Sequence, residues 1–359
     1  MQLRLEKRAE TSRLMLYLTP VAAVLLTMIV GAIIFTILGF NGAVAVREIF
    51  LTPLTNSLKW QDLAVKSAPL IIIGIGLSIG FRANVWNIGA EGQYIAGGLA
   101  ATGVALITHQ MSGWWLLPLM GVAGIIGGMA WVMVPAFLRT KLNVNEILTT
   151  LMLTYVAVQL LNFLVFGPWK SPVSFGQPQT VLFNDDQILP YIIPGTIVQA
   201  GAPIAVFIAI IAWILMSKSI FGFQIRTVGT APNAARYGGF SANKTIWMSL
   251  LIGGALAGFA GMLEVAGPFN RMVPQFPTNY GFTAIIVAFL GRLHPMGVLM
   301  GGIVLAITFV GGEVAQTTIG LPNAAVGLFQ ALMLFLILAG DILVRYKIRR
   351  VTRKSGAVS

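Results

Sequence analysis

Long apolar runs with almost no charge inside them constrain this chain more than any other feature. Pro20 to Phe40 is the first, and comparable runs recur to about residue 340. A helix needs roughly 20 apolar residues to cross a bilayer. The runs are continuous rather than alternating, so they read as helices and not as strands of an outer-membrane barrel. Only 9% of the residues are charged and 57% are hydrophobic, where a soluble domain carries about 25% charged. The expected fold is all-α, a polytopic membrane protein with about ten transmembrane helices. The spans fall at about 20–40, 66–81, 87–108, 113–137, 146–167, 202–216, 246–264, 281–291, 296–312 and 323–340. They divide the chain into an N-terminal tail at 1–19, a transmembrane domain at 20–340 and a basic tail at 341–359. The first run exceeds a signal-peptide core, and Val44-Ala45-Val46 is a poor cleavage site, so an uncleaved first span is expected.

Basic residues orient this scheme. Of the 23 Lys and Arg, 18 fall on the side that holds both termini. Only Arg47, Lys59, Lys66, Lys170 and Arg271 fall on the other. Cytoplasmic segments carry the excess of positive charge, so both ends should be cytoplasmic. The same rule accounts for the net charge of +12, and a nucleic-acid partner is not expected. Two spans look too short to cross, Ala68 to Phe81 and Gly281 to Gly291. Each is an interrupted segment of a kind that lines pathways, or else a tilted helix. Gly76 to Gly80, Gly124 to Gly128, Gly254 to Gly258 and Gly297 to Gly301 have the small-residue spacing of packed membrane helices.

Polar chemistry is sparse. Asn84, Asn87, Glu91 and Gln93 follow the first short span. An ionisable residue at membrane depth marks a functional site by default. Glu91 could face a polar solute, or it could pair with Arg82 or cap a helix end. A second cluster opens the fifth span, with Asn143, Asn145 and Glu146, then Thr149, Thr150 and Thr154. Asn87, Glu91, Gln93, Asn145, Glu146 and Thr154 are the candidate pathway residues. The segment from Gly167 to Gly201 is rich in Pro and Gly and is long enough to fold over an outer mouth or meet an external partner. No GxxxxGK[ST] phosphate loop and no HExxH zinc motif occur, and there is no cysteine. Catalysis on a solute, a cofactor and a metal are therefore not expected.

The most basic connection is 217–245, SKSIFGFQIRTVGTAPNAARYGGFSANKT. Its middle reads as one short helix, with Thr230 as N-cap, Pro232 in the first turn and Gly238-Gly239 as the stop. Ala234 and Ala235 give that helix a slim surface for a docking partner. A helix this short is not stable alone in water.

NIGAEGQ at Asn87 to Gln93, VNEILTTLMLTYVA at Val144 to Ala157 and GFQIRTVGTAPNAARYGGFSANK at Gly222 to Lys244 carry a resemblance. The chain resembles the permease subunits of bacterial ABC importers, in the branched-chain amino acid and simple-sugar group, nucleoside (purine-type) branch. The resemblance implies a multi-pass permease of the bacterial inner membrane, surrounded by lipid and moving nucleosides or related purine-type solutes. It implies a second permease subunit, identical or related, a cytoplasmic ABC ATPase and an extracytoplasmic solute-binding protein. It maps Arg226, Pro232, Ala234, Ala235, Arg236, Gly238 and Gly239 onto the loop that couples to the ATPase. A simple sugar as solute, or an ion-coupled transporter without an ATPase, are the other readings.

Overall fold

The computed structural model of the protein describes residues 2–7, 13–174, 176–276 and 278–351. Arg8, Arg353 and Lys354, counted above with the basic tails, lie outside them. The apolar runs are helical. The helices are α1 (Arg13–Ile37), α2 (Gly42–Phe50), α3 (Thr52–Thr55), α4 (Lys59–Arg82), α5 (Ala90–Ile107), α6 (Leu116–Leu142), α7 (Glu146–Phe166), α8 (Gly201–Lys218), α9 (Ile220–Thr230), α10 (Pro232–Tyr237), α11 (Ala242–Glu264), α12 (Tyr280–Leu290), α13 (Pro295–Ile319) and α14 (Asn323–Arg345). α11 runs on into a π-helical turn, Val265–Phe269.

Among the described residues, eight helices are long and apolar enough to cross a membrane. The other two expected crossings correspond to α5 and α12. Glu91 and Gln93 make the start of α5 polar, and α12 has only 11 residues. The short run at 66–81 is corrected: it is the apolar part of α4, which has 24 residues. The first turns of α4 escape a hydropathy reading because they carry the ion pair Lys59–Asp62 at 3.1 Å.

The chain divides into two compact units, residues 1–52 with 311–359, and residues 53–310. In the first, Phe35 of α1, Ala45 and Ile49 of α2, and Ala325 and Phe329 of α14 form a buried core. The Phe35 and Phe329 rings stack at 5.9 Å. Asn41 caps α2 by accepting the Val44 N–H. The tails contain the only strands among the described residues. β1 (Gln2–Lys7) pairs antiparallel with β2 (Tyr346–Val351), with Gln2 opposite Val351. Tails paired in this way lie on the same side of a membrane.

The second unit is built around α4, which is buried from Ser67 to Phe81. α11 packs along α4, α5 and α6. The glycine spacings of the sequence are the contact surfaces. Gly124 and Gly128 of α6 face Gly254 and Gly258 of α11 so closely that a Cβ on Gly128 would collide with the Gly254 carbonyl. Backbones that approach like this gain dispersion contacts, which drive helix association where lipid tails are as apolar as the side chains.

Candidate functional site

The short helix α12 creates the need for a polar site. Eleven residues make about 16 Å of helix, half the hydrocarbon thickness. One end of α12 therefore lies at membrane depth, where its free backbone groups cannot be met by water. The Glu91 carboxylate meets the N-terminal ones. Its Oε1 accepts from the Asn279 N–H at 3.0 Å and its Oε2 from the Gly281 N–H at 2.6 Å. Glu91 is 1% exposed. A Cβ on Gly281 would collide with the Glu91 backbone nitrogen, so only glycine permits this approach.

Glu91 is held in the first turn of α5, after the non-helical segment 83–89. Ala83, Val85, Asn87 and Gly89 of that segment are buried. Irregular backbone survives at membrane depth only when enclosed by protein. Asn87 and Gln93 enclose it from within. Asn87 Nδ2 donates to Gln93 Oε1 and Gln93 Nε2 donates to Asn87 Oδ1, both at 2.9 Å. Asn87 Oδ1 also accepts the Gly89 N–H at 3.2 Å.

α7 closes the remaining side. The Trp86 N–H donates to Glu146 Oε1 at 3.4 Å and the Ile88 N–H to Thr150 Oγ1 at 3.2 Å. Arg139 Nε stands 3.3 Å from Glu146 Oε2. A Cβ on Gly89 would collide with the Thr150 carbonyl, and one on Gly92 would lie 2.9 Å from the Thr154 Cα. Thr154 donates to the Thr150 carbonyl at 3.3 Å. The Phe81 ring lies 5.1 Å from Trp86 and 5.4 Å from Phe289, tying the ends of α4 and α12 together.

Asn87, Glu91, Gln93, Glu146 and Thr154 are thus brought into one junction of α5, α7 and α12, each engaged with the protein. Asn145 stands apart: it is exposed and caps α7 by accepting the Ile147 N–H at 2.9 Å. Of the structural roles open to Glu91, capping is the one observed, and its bonds go to α12 rather than to Arg82. Among the described residues no cluster of His, Asp and Glu could hold a metal ion.

The basic loop holds two helices where the sequence suggested one. Ser219 caps α9 by accepting the Gly222 N–H, and Gly229 packs on the Arg82 carbonyl with no room for a Cβ. Gln224 Nε2 donates to Thr245 Oγ1 at 3.1 Å, fixing α9 to α11. Arg226 Nε donates to the Gly222 carbonyl at 3.1 Å. Thr230 is not the cap of α10: it ends α9 and donates to the Arg226 carbonyl at 2.8 Å. Pro232 opens α10 after Ala231, whose side chain makes no cap. Gly239, with φ +80, is the left-handed stop, whereas Gly238 has φ −75. Ala235 points inward at 1% exposed, while Ala234, Arg236 and Tyr237 face out, Tyr237 at 95%. A six-residue helix that must pack on its neighbours turns a small central side chain inward.

Residues 60–338 match the family described as branched-chain amino acid transport system, permease component. The chain belongs to that family. The permease is 34% identical to a glucose ABC transporter permease of Haloferax volcanii, over 97% of this chain and 93% of that one. It is 26% identical to a nucleoside ABC transporter permease of Lactococcus lactis, over 89% and 90% of the two chains. It is 27% identical to a guanosine ABC transporter permease of Bacillus subtilis, over 95% and 98%. In each of these organisms a second permease named for the same kind of solute is also similar, at 29%, 24% and 25% identity. The permease is a multi-pass protein of the cytoplasmic membrane and not an enzyme, because ATP hydrolysis belongs to a separate subunit. Its family implies association with an ATPase and a substrate-binding protein.

Three features of these sites were not singled out from sequence. Thr150 shares a helical face with Thr154, a weak signal because threonine can bond its own backbone. Gly89, Gly92 and Gly281 carry no packing spacing in the sequence, although NIGAEGQ contains two of them. Tyr237 gave one signal, an aromatic residue in a basic polar loop.

Proposed function

We propose that the permease is one half of a permease pair that imports nucleosides or related purine-type solutes. The reading is carried by the similarity to a nucleoside and a guanosine permease over nearly the full length of both. A pair of related but non-identical subunits is supported by the two similar permeases in each of three organisms. One specific observation favours a second reading, a simple sugar: the 34% identity with the glucose permease. Uptake of labelled nucleosides, bases and sugars by cells with and without this chain tests both. Nucleoside uptake that requires the chain supports the first reading. Sugar uptake alone, with nucleoside transport unchanged, replaces it with the second.

In this reading the junction around Glu91 positions α12 beside the pathway. Asn87, Glu91, Gln93, Glu146 and Thr154 act by holding backbone rather than by touching solute. The ATPase docks on the loop 217–245 through the exposed Pro232, Ala234, Arg236 and Tyr237. Arg226, Ala235, Gly238 and Gly239 shape that surface from behind. Gly229 packs against the end of α4, so a push on α9 reaches Arg82 and the segment 83–89 directly.

A further inference from the structure

Residues 270–276 leave the π-helical end of α11 and run without helix to a seat on α5. The Phe276 ring lies flat on the Tyr94 ring, with centroids 4.7 Å apart and planes 5° from parallel. It also covers Gly98, where a Cβ would lie 2.7 Å from the ring. Both aromatic residues are fully buried. Tyr94 is one helical turn from Glu91, so the stack lies beside the start of α12 at membrane depth. Non-helical backbone survives there only where protein encloses it or where it lines a cavity.

A second connection ties this segment down. The Thr180 N–H donates to the Met272 carbonyl, the Met272 N–H to Thr180 Oγ1 and the Phe183 N–H to the Asn270 carbonyl, each at 3.0 Å. Arg271 Nη1 donates to Gln179 Oε1 at 3.0 Å. The same connection is anchored on the far end of α5, where Gln187 Nε2 donates to the Ala105 carbonyl at 2.9 Å. Leu182, between the tied residues, is 53% exposed and gives an outside partner a handle. All of this stands at the end of α11 remote from the loop 217–245. Asn270 turns the segment out of the helix with φ 53, in the left-handed region that asparagine tolerates. Tyr94 Oη, Asn270 Oδ1 and Thr278 Oγ1 are shut off from solvent without a hydrogen bond. The Tyr94 and Thr278 hydroxyls neighbour each other but are not aligned to bond. Buried polar groups left unpaired are costly and call for an explanation. Lifting Phe276 off Tyr94 supplies one, because it opens both hydroxyls to water or to a polar solute.

We propose that residues 270–276 are a gate on the solute-receiving side of the permease, with Phe276 as plug, Tyr94 as seat and residues 179–183 as latch. Opening breaks the latch bonds and swings the plug from its seat. The direction of the gate rests on the importer reading, and its existence does not depend on which solute is moved. The chain has no cysteine, so Thr278→Cys places a single, nearly isosteric thiol behind the plug. Its reaction with a membrane-impermeant maleimide is timed for the full chain in proteoliposomes, with reagent on one side or the other. With the latch intact the thiol should react slowly. Adding Thr180→Val and Gln179→Leu removes two latch acceptors. The reaction should then speed up about tenfold from the side opposite the loop 217–245. Phe276→Ala should speed it further, and if that variant fails to accumulate the latch variants decide. Ser249→Cys, buried in α11, is the control thiol and should stay slow throughout. A fast reaction with the latch intact, an unchanged rate after the latch is cut, an equal rise at Ser249→Cys, or a rise only from the loop side would each overturn the proposal. The labelling needs no solute, so its result stands apart from the uptake that tests the importer reading.

Discussion

The junction around Glu91 and the loop 217–245 put polar and apolar side chains to opposite uses. In the junction, carboxylates and amides face inward and every one finds a protein partner. In the loop, Ile220, Phe223 and Tyr237 face outward at 78%, 54% and 95% exposed, while the small Gly222 and Ala235 face in. Membrane-buried polar groups are costly unless bonded, so the junction is a structural fastening. Exposed aromatic groups in a basic polar loop suit a protein interface. The buried polar groups of the junction therefore organise backbone, and the exposed side chains of the loop do not.

The most severe way to break this contrast is Glu91→Ala. It strands the Asn279 and Gly281 N–H groups at membrane depth, at about 1–3 kcal/mol each. A loss of about 2–6 kcal/mol in stability should accompany loss of uptake, read as thermal midpoint in detergent and transport in cells. Glu91→Gln keeps one acceptor and should fall between. If Glu91→Ala kept its midpoint and lost only uptake, the carboxylate would be a solute contact and the contrast would fail at its strongest point.

On the exposed side the matching variant is Tyr237→Ala. It should leave the midpoint unchanged. Binding of the ATPase, followed by co-purification, should weaken by about 2 kcal/mol, or roughly 30-fold, as expected for an aromatic anchor at an interface. Unchanged co-purification would remove the loop as the docking surface. Ala235→Glu is a poor probe of docking, because it buries a charge within the chain. Ala234→Glu tests the exposed face directly.

The difference between the two regions also explains what could be read from residues alone. Helix content followed from apolar runs, and the packing faces of α6 and α11 followed from glycine spacing, because both are periodic and local; that the two faces meet did not. Glu91 was visible as an ionisable group at membrane depth. Its partners were not, since Asn279 and Gly281 lie 188 and 190 residues away in sequence. The loop failed at finer grain. Thr230, a good N-cap by type, bonds back to Arg226, because Ser219 starts a separate helix, α9, that runs through Thr230. Gly238 and Gly239 are alike as residues, and only the backbone path decides which takes φ +80.

That choice yields a smaller effect. Gly239→Val forces a β-branched residue into the left-handed region, at about 1–2 kcal/mol. Gly238→Val meets ordinary backbone angles and should cost less. Both positions are exposed, so the penalty should appear as fraying of α10 and weaker ATPase stimulation, with little change in the folded yield. Equal effects at both positions would mean that the stop is set by packing and not by φ.

The smallest effect lies where the two regions meet. His294 follows the α12 C-terminus, and Arg292 and Leu293 before it have φ 52 and 57. Burial lowers the His294 pKa from its ordinary value, and the positive charge of Arg82 lowers it further. The folded protein then resists protonation more than the unfolded chain does. Stability from this group is complete above about pH 6.5 and is lost as pH falls through the lowered value. The imidazole is only partly buried, so solvent screening keeps the loss modest. Acidification from pH 7.5 to 5.5 should lower the thermal midpoint of the parent chain slightly more than that of His294→Gln. Parallel midpoint curves would show that Arg82 does not reach His294. In that event the α4 end that carries α9 would act on α12 only through the packed rings of Phe81, Trp86 and Phe289, and a change of pH would leave the link between loop and junction untouched.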